Sequence, residues 1–216
     1  MTTLLAVLLL AAAQDAARGI AAWDTAQPGQ ADRKAWTALA QGATSVKGDL
    51  VLTNGRLTAT LRKDAAVLEL SGTGPARARI GLSGAVKVSS FTLSELGRGG
   101  LCLDAAFKTA SGTEAAAKFR LKRGDNFIAV EPGKGAAKLR VEAPSRFAVL
   151  PDFFADDIVV DAAKIAQPAA PIPSENFILH LTGAGDSFVM GVFEHREQDV
   201  QVALSGEGAA RKIAAS

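Results

Sequence analysis

From Lys47 onward the apolar and polar residues alternate with a period of two, the spacing of a strand with one buried face. Asn54-Gly55 interrupts the first such run and is a strong signal for a two-residue hairpin turn. Closing the turn there pairs Thr53 with Arg56, Leu52 with Leu57 and Leu50 with Ala59, with the leucines on one face and Val51 and Thr58 on the other. A second turn, Arg123-Gly124-Asp125-Asn126, pairs Leu121 with Ile128 and Phe119 with Val130 toward a core. It leaves Lys118, Arg120, Ala129 and Glu131 outside. A third turn, centred on Ala184-Gly185, pairs Leu181 with Phe188, Leu179 with Met190 and Phe177 with Val192, six apolar residues on one face. His180 then faces Val189 on the opposite side, as a solvent-facing or partly covered residue.

The same patterning predicts further strands over 66–70, 77–82, 86–93, 101–108, 137–142, 146–150, 158–161 and 199–204, with turn signals between them. Many short strands without long amphipathic helices predict an all-β fold, an antiparallel two-sheet β-sandwich of jelly-roll or supersandwich type. The Ala-rich stretch 114–117 is the one place where a helix competes. Residues 167–173 hold three prolines and read as a surface crossing between sheets, because proline cannot serve a central strand.

The first 46 residues differ from the rest. Leu4–Ala13 is a ten-residue apolar run, about half the length needed to span a bilayer as a helix and the length of a signal-peptide core. Ala11-Ala12-Ala13 supplies small residues for cleavage, with Gln14 as the mature N-terminus. Residues 1–13 therefore read as a signal peptide, and the chain as secreted or periplasmic. Residues 14–46 form an arm carrying Trp23 and Trp36, with a short helix that begins at an Asp32 N-cap. Residues 47–216 form the β-sandwich domain.

Composition then removes chemistries. Lys+Arg 24 against Asp+Glu 22 is too balanced for a dedicated nucleic-acid binder. Tyrosine is absent, and one cysteine allows neither an internal disulfide nor a cysteine-rich metal site. Cys102 lies in an apolar run and reads as a small buried hydrophobe. His180 and His195 fall too far apart along the third hairpin to share a metal. The phosphate-binding loop, zinc-protease helix and nucleophile-elbow motifs are all missing.

Two clusters remain. Lys118, Arg120, Lys138 and Arg140 alternate on two strands close in sequence; on adjacent strands they would share one cationic surface suited to a polyanion. Asp152, Asp156 and Asp157 lie in a carboxylate-rich loop with Phe153 and Phe154, where a structural calcium ion could sit; no other cofactor is called for. The expected function is a secreted, non-catalytic module that binds a glycan or another extracellular protein, with the cations and both phenylalanines as binding residues. The alternative is a carbohydrate-active hydrolase or lyase on the same scaffold. The balance leans away from an enzyme, since only the Asp152–Asp161 loop offers paired carboxylates. Neither nucleic acid nor, after leader removal, a membrane is expected as a partner. The general look is of a secreted bacterial β-sandwich, and fold alone does not specify function.

Overall fold

The computed structural model describes residues 5–10, 19–72, 74, 76–96, 99–151, 157–164, 169–172, 177–182, 187–193, 200–205 and 212–215. The chain enters as β1 (Leu5–Leu10) and β2 (Ala21–Asp24), makes a 3-10 turn at Arg33–Ala35 and continues through the short β3 (Thr37–Ala38). A first meander follows: β4 (Leu50–Thr53), β5 (Thr58–Arg62), β6 (Val67–Ser71) and β7 (Arg77–Leu82). A second uses longer strands: β8 (Ala85–Leu96), β9 (Gly100–Thr109), β10 (Glu114–Lys122) and β11 (Phe127–Pro132). Then come β12 (Leu139–Pro144), β13 (Phe147–Pro151), β14 (Asp157–Asp161) and β15 (Ala169–Ile172). The last are β16 (Phe177–Thr182), β17 (Ser187–Phe193), β18 (Val200–Ser205) and β19 (Lys212–Ala215).

The strands form two antiparallel sheets. One has nine strands in the order β14-β13-β16-β17-β1-β11-β10-β9-β8; the other has ten, β15-β18-β19-β12-β7-β6-β5-β4-β2-β3. The fold is all-β as the patterning predicts, and 114–117 is strand, not helix. One hydrophobic core draws on both sheets: Leu50, Leu52, Leu68, Leu70 and Ile80 from the ten-stranded sheet meet Leu93, Leu103, Phe107, Phe119 and Val130 from the nine-stranded one. Phe107 and Phe119 meet edge to face with centroids 6.5 Å apart, a favoured aromatic geometry. Among the described residues no helix is long and apolar enough to cross a membrane.

The second hairpin has the expected register, with Phe119 opposite Val130 and Lys118 opposite Glu131. The first does not. Thr53 pairs with Thr58 and Leu52 with Ala59, so the loop is four residues long. The cause is Asn54. Its side-chain oxygen accepts from the backbone N–H of Arg56 (3.0 Å) and Leu57 (2.8 Å), winding the loop one step further. Its amide nitrogen donates to the carbonyls of Lys122 (2.6 Å) and Asp125 (2.8 Å) in the second hairpin. Leu57 thereby drops into the core. Side-chain bonding to a neighbouring element overrides the local preference for a two-residue turn.

The third hairpin keeps its register but presents the opposite face. Phe177 pairs with Val192, Leu179 with Met190 and Leu181 with Phe188, yet Ile178, His180 and Thr182 are the buried set. The six apolar residues lie half-buried on the outer face. The inward face holds His180, Thr182 and Ser187 beside Ile178 and Val189, while the outward face is wholly apolar, so alternation alone points to the wrong side. The proline segment contributes β15, confined to a sheet edge as proline requires.

The arm is part of the ten-stranded sheet, because β2 pairs with β4 and β3 with β2. Two buried carboxylates fasten it. Asp24 accepts backbone N–H groups from Ala26 (3.0 Å), Gly48 (2.9 Å) and Lys47 (2.8 Å). Asp49 accepts from Gly29 N–H (2.8 Å) and pairs with the Arg62 guanidinium at 2.6 Å. The helix expected after Asp32 shortens to the 3-10 turn, with the Asp32 side chain capping Lys34 N–H at 3.0 Å. Leu5–Leu10, inside the segment that reads as a leader, is hydrogen-bonded in the nine-stranded sheet between β11 and β17.

Candidate functional site

The outer face of the second meander carries a cleft of about 480 Å³. Cross-strand register builds it row by row. Thr92, Asp104, Lys118 and Glu131 stand side by side on β8, β9, β10 and β11. The next row is Ser90, Ala106 and Ala116, and Gly133 approaches Ala116 so closely that a β-carbon there would lie 3.1 Å from the Ala116 side chain. Small side chains thus make the floor, and the hydroxyl and charged row makes the wall. The alternation that sends Leu103, Ala105, Ala117 and Phe119 into the core is what turns this row outward.

The wall carries both signs of charge. Lys118 Nζ lies 3.4 Å from Asp104 Oδ1, and Arg120 reaches Glu131 at 2.6 Å. The backbones of Asp104 and Glu131 are two strand spacings apart, about 10 Å, with Lys118 between them. Cys102 faces outward in the row of Arg120, yet is only 7% exposed, matching its reading as a small buried residue.

The expected cationic surface is corrected here. Lys118 and Arg120 lie on β10 in the nine-stranded sheet, whereas Arg140 lies on β12 in the ten-stranded sheet and Lys138 immediately precedes it. The two pairs do not share a surface, because the chain crosses from one sheet to the other between β11 and β12. Arg140 pairs with Glu142 at 3.3 Å, and Glu142 also meets Arg79 and Lys212. The alternation within each strand does hold: Phe119, Leu121 and Val141 are buried, and Leu139 is half-buried.

Asp152, Phe153, Phe154 and Asp156 lie outside the described residues. Asp157 opens β14 opposite Pro151 and is exposed. Among the described residues no three His, Cys, Asp or Glu side chains gather as metal ligands. Trp23 and Trp36 come together, with centroids 6.3 Å apart and planes at 52°. The Arg33 guanidinium sits 5.5 Å from the Trp36 ring centre, and the Trp36 indole N–H donates to Gln30 O at 3.1 Å. These rings close on each other and on the arm, which leaves them less face for a ligand.

His180 is corrected from a surface residue to a fully buried one. Its Nδ1 lies 2.8 Å from Ser145 Oγ, which also bonds Ala143 O at 3.0 Å. Burial pushes its pKa down to about 4. The Ser–His pair is sealed from solvent and is not arranged to meet a substrate.

Half of the cleft was within reach of the sequence, since the second hairpin places Lys118 opposite Glu131. Asp104 depends on a second register, across the Ser111-Gly112 turn, which aligns it with Lys118 and carries no two-residue hairpin signal as clear as the others. Comparison of the chain with known protein families, curated proteins and solved structures finds no match.

Proposed function

We propose that the chain is a secreted, non-catalytic β-sandwich module whose cleft on the second meander binds a glycan. The observation that carries this reading is the mixed row Thr92–Asp104–Lys118–Glu131 beside a small-residue floor. A sugar presents many hydroxyl groups, each both donor and acceptor. A wall that alternates hydroxyl, carboxylate and ammonium groups answers both roles, and the alanine floor leaves room for a ring to approach. Because each cation is already paired with a carboxylate, this wall suits a neutral polyhydroxylated chain better than a polyanion. An acid–base hydrolase needs a carboxyl free to deliver its proton, whereas Asp104 and Glu131 are both tied to cations.

The test is a glycan-array screen of the secreted protein, followed by calorimetric titration of the best ligand. Ala106→Phe fills the floor from an outward position and should reduce affinity at least about tenfold, a loss of roughly 1.4 kcal/mol. The melting temperature should stay within a few degrees. Failure to retain any glycan, or full affinity in the Ala106→Phe variant, rejects the cleft. Release of new reducing ends during incubation instead supports the hydrolase alternative.

A further inference from the structure

The segment that reads as a leader is also strand β1, and the two roles exclude one another after processing. In the whole chain β1 is antiparallel to both neighbours: Leu5–Leu10 pairs with Phe188–Phe193 of β17, and Leu5–Leu8 pairs with Phe127–Val130 of β11. It follows that β11 and β17 run parallel to each other, two strand spacings or about 10 Å apart. Cleavage after Ala13 removes the strand between them. Two facing edges then present backbone N–H and C=O groups without partners, a state that folded sheets rarely leave uncovered.

The gap does not close easily on itself. Zipping β11 onto β17 would create a parallel pair in an otherwise antiparallel sheet. It would also shift half of that sheet by about 5 Å over the shared core. Val130 on one side of the gap and Val189 on the other are both fully buried in that core, which resists such a slide. The walls are apolar on both faces of the sheet. Ile128, Val130 and Val189 are buried inward, and Phe127, Phe188 and Met190 are half-buried outward.

We infer that the processed protein accepts an extended, uncharged, apolar strand of about six residues from a partner protein, laid antiparallel to both β11 and β17. The length is that of β1 at about 3.3 Å per residue, and the apolar character is set by walls that are apolar above and below. Main-chain hydrogen bonds to two edges supply the affinity, the recognition mode of strand addition. The described strands of a second copy are already paired in its own sheets, which favours a different chain as the occupant. The inference rests on the leader being removed, as the secreted reading holds.

The experiment keeps the two ideas apart. The secreted protein is first sequenced from its N-terminus. Backbone hydrogen exchange across residues 127–130 and 187–193 is then measured alone and with a lysine-flanked peptide of sequence LAVLLL, the segment Leu5–Leu10. A start at Met1 overturns the leader reading and this inference with it. A start at Gln14, fast exchange at slot-facing amides and slowing of about tenfold at a peptide concentration ten times Kd support the inference. A start at Gln14 with slow exchange before peptide is added, or no slowing after it, overturns the inference and leaves secretion standing. A control peptide with proline at its two central positions lacks two donors; equal protection by that peptide also overturns it.

Discussion

At the scale of single residues, His180 is the most consequential group. The Ser145 hydroxyl carries one proton, and its 3.0 Å contact to Ala143 O takes it. Ser145 Oγ therefore accepts from His180 Nδ1–H, and Nε2 is left as a buried lone pair with no partner. Protonating it would place a charge in the core, which is why burial lowers its pKa from 6.5 to about 4. The unfolded chain takes up this proton below about pH 6.5 and the native chain only near pH 4, so stability falls as pH drops through that window. The loss should reach about 3 kcal/mol by pH 4, read from urea midpoints. His180→Leu should flatten the pH dependence between 6.5 and 4. A variant that keeps the full slope assigns it to other groups. Asp24 acts lower on the scale. Burial raises its pKa, but the hydrogen bonds from Lys47, Gly48 and Ala26 outweigh this and hold it below the usual 3.8. Its contribution is therefore present above that pH and is lost as pH falls further.

At the scale of elements, turn chemistry and burial pattern separate what the sequence discloses from what it hides. The second hairpin was legible because Leu121, Phe119, Ile128 and Val130 alternate with polar partners, so one face must turn inward. The third was legible in register only, since His180 and Thr182 look polar yet share their face with Ile178 and Val189. The first departs from its local signal because Asn54 serves two hairpins at once, and nothing within 50–59 reveals a partner near Lys122. Half of the cleft was readable on the same grounds, with Lys118 and Glu131 following from one hairpin and Asp104 requiring another. Asn54 makes a sharp test of this coupling. It is 3% exposed and satisfies four hydrogen bonds, so Asn54→Ala should destabilise the chain by about 2–4 kcal/mol. Thermal or urea unfolding measures it. A cost below about 0.5 kcal/mol, the level of ordinary surface changes, shows that the two hairpins are held together by other contacts.

At the scale of the whole molecule, the two sheets present unlike exteriors. The ten-stranded sheet carries a ladder of ion pairs, Asp49–Arg62–Glu69–Arg79–Glu142–Lys212, that crosses several strands. The nine-stranded sheet instead shows half-buried Phe147, Val149, Leu179, Leu181 and Phe188 outward on β13, β16 and β17, and exposed Val159 on β14. Beyond the buried Asp49 end, which holds the arm, the pairs of the ladder add little stability, since exposed ion pairs contribute at most about 1 kcal/mol each, but they keep that exterior wet. The order of the strands also sets an order in time. Both meanders pair each strand with its sequence neighbour, from Leu50 to Leu82 and from Ala85 to Pro132. The strands from Leu139 onward form short local hairpins, β13 with β14, β16 with β17 and β18 with β19, that reach the rest of the sheets only through distant partners, such as Val141 with Ile80 and Val149 with Leu179. Closing longer loops costs more chain entropy, and folding slows as contacts become less local. Residues 50–132 should therefore gain amide protection first on refolding, and the strands from Leu139 onward should follow. Pulse-labelled hydrogen exchange reads this directly, and simultaneous protection of both regions would show that the meanders do not fold ahead of the sheet they anchor.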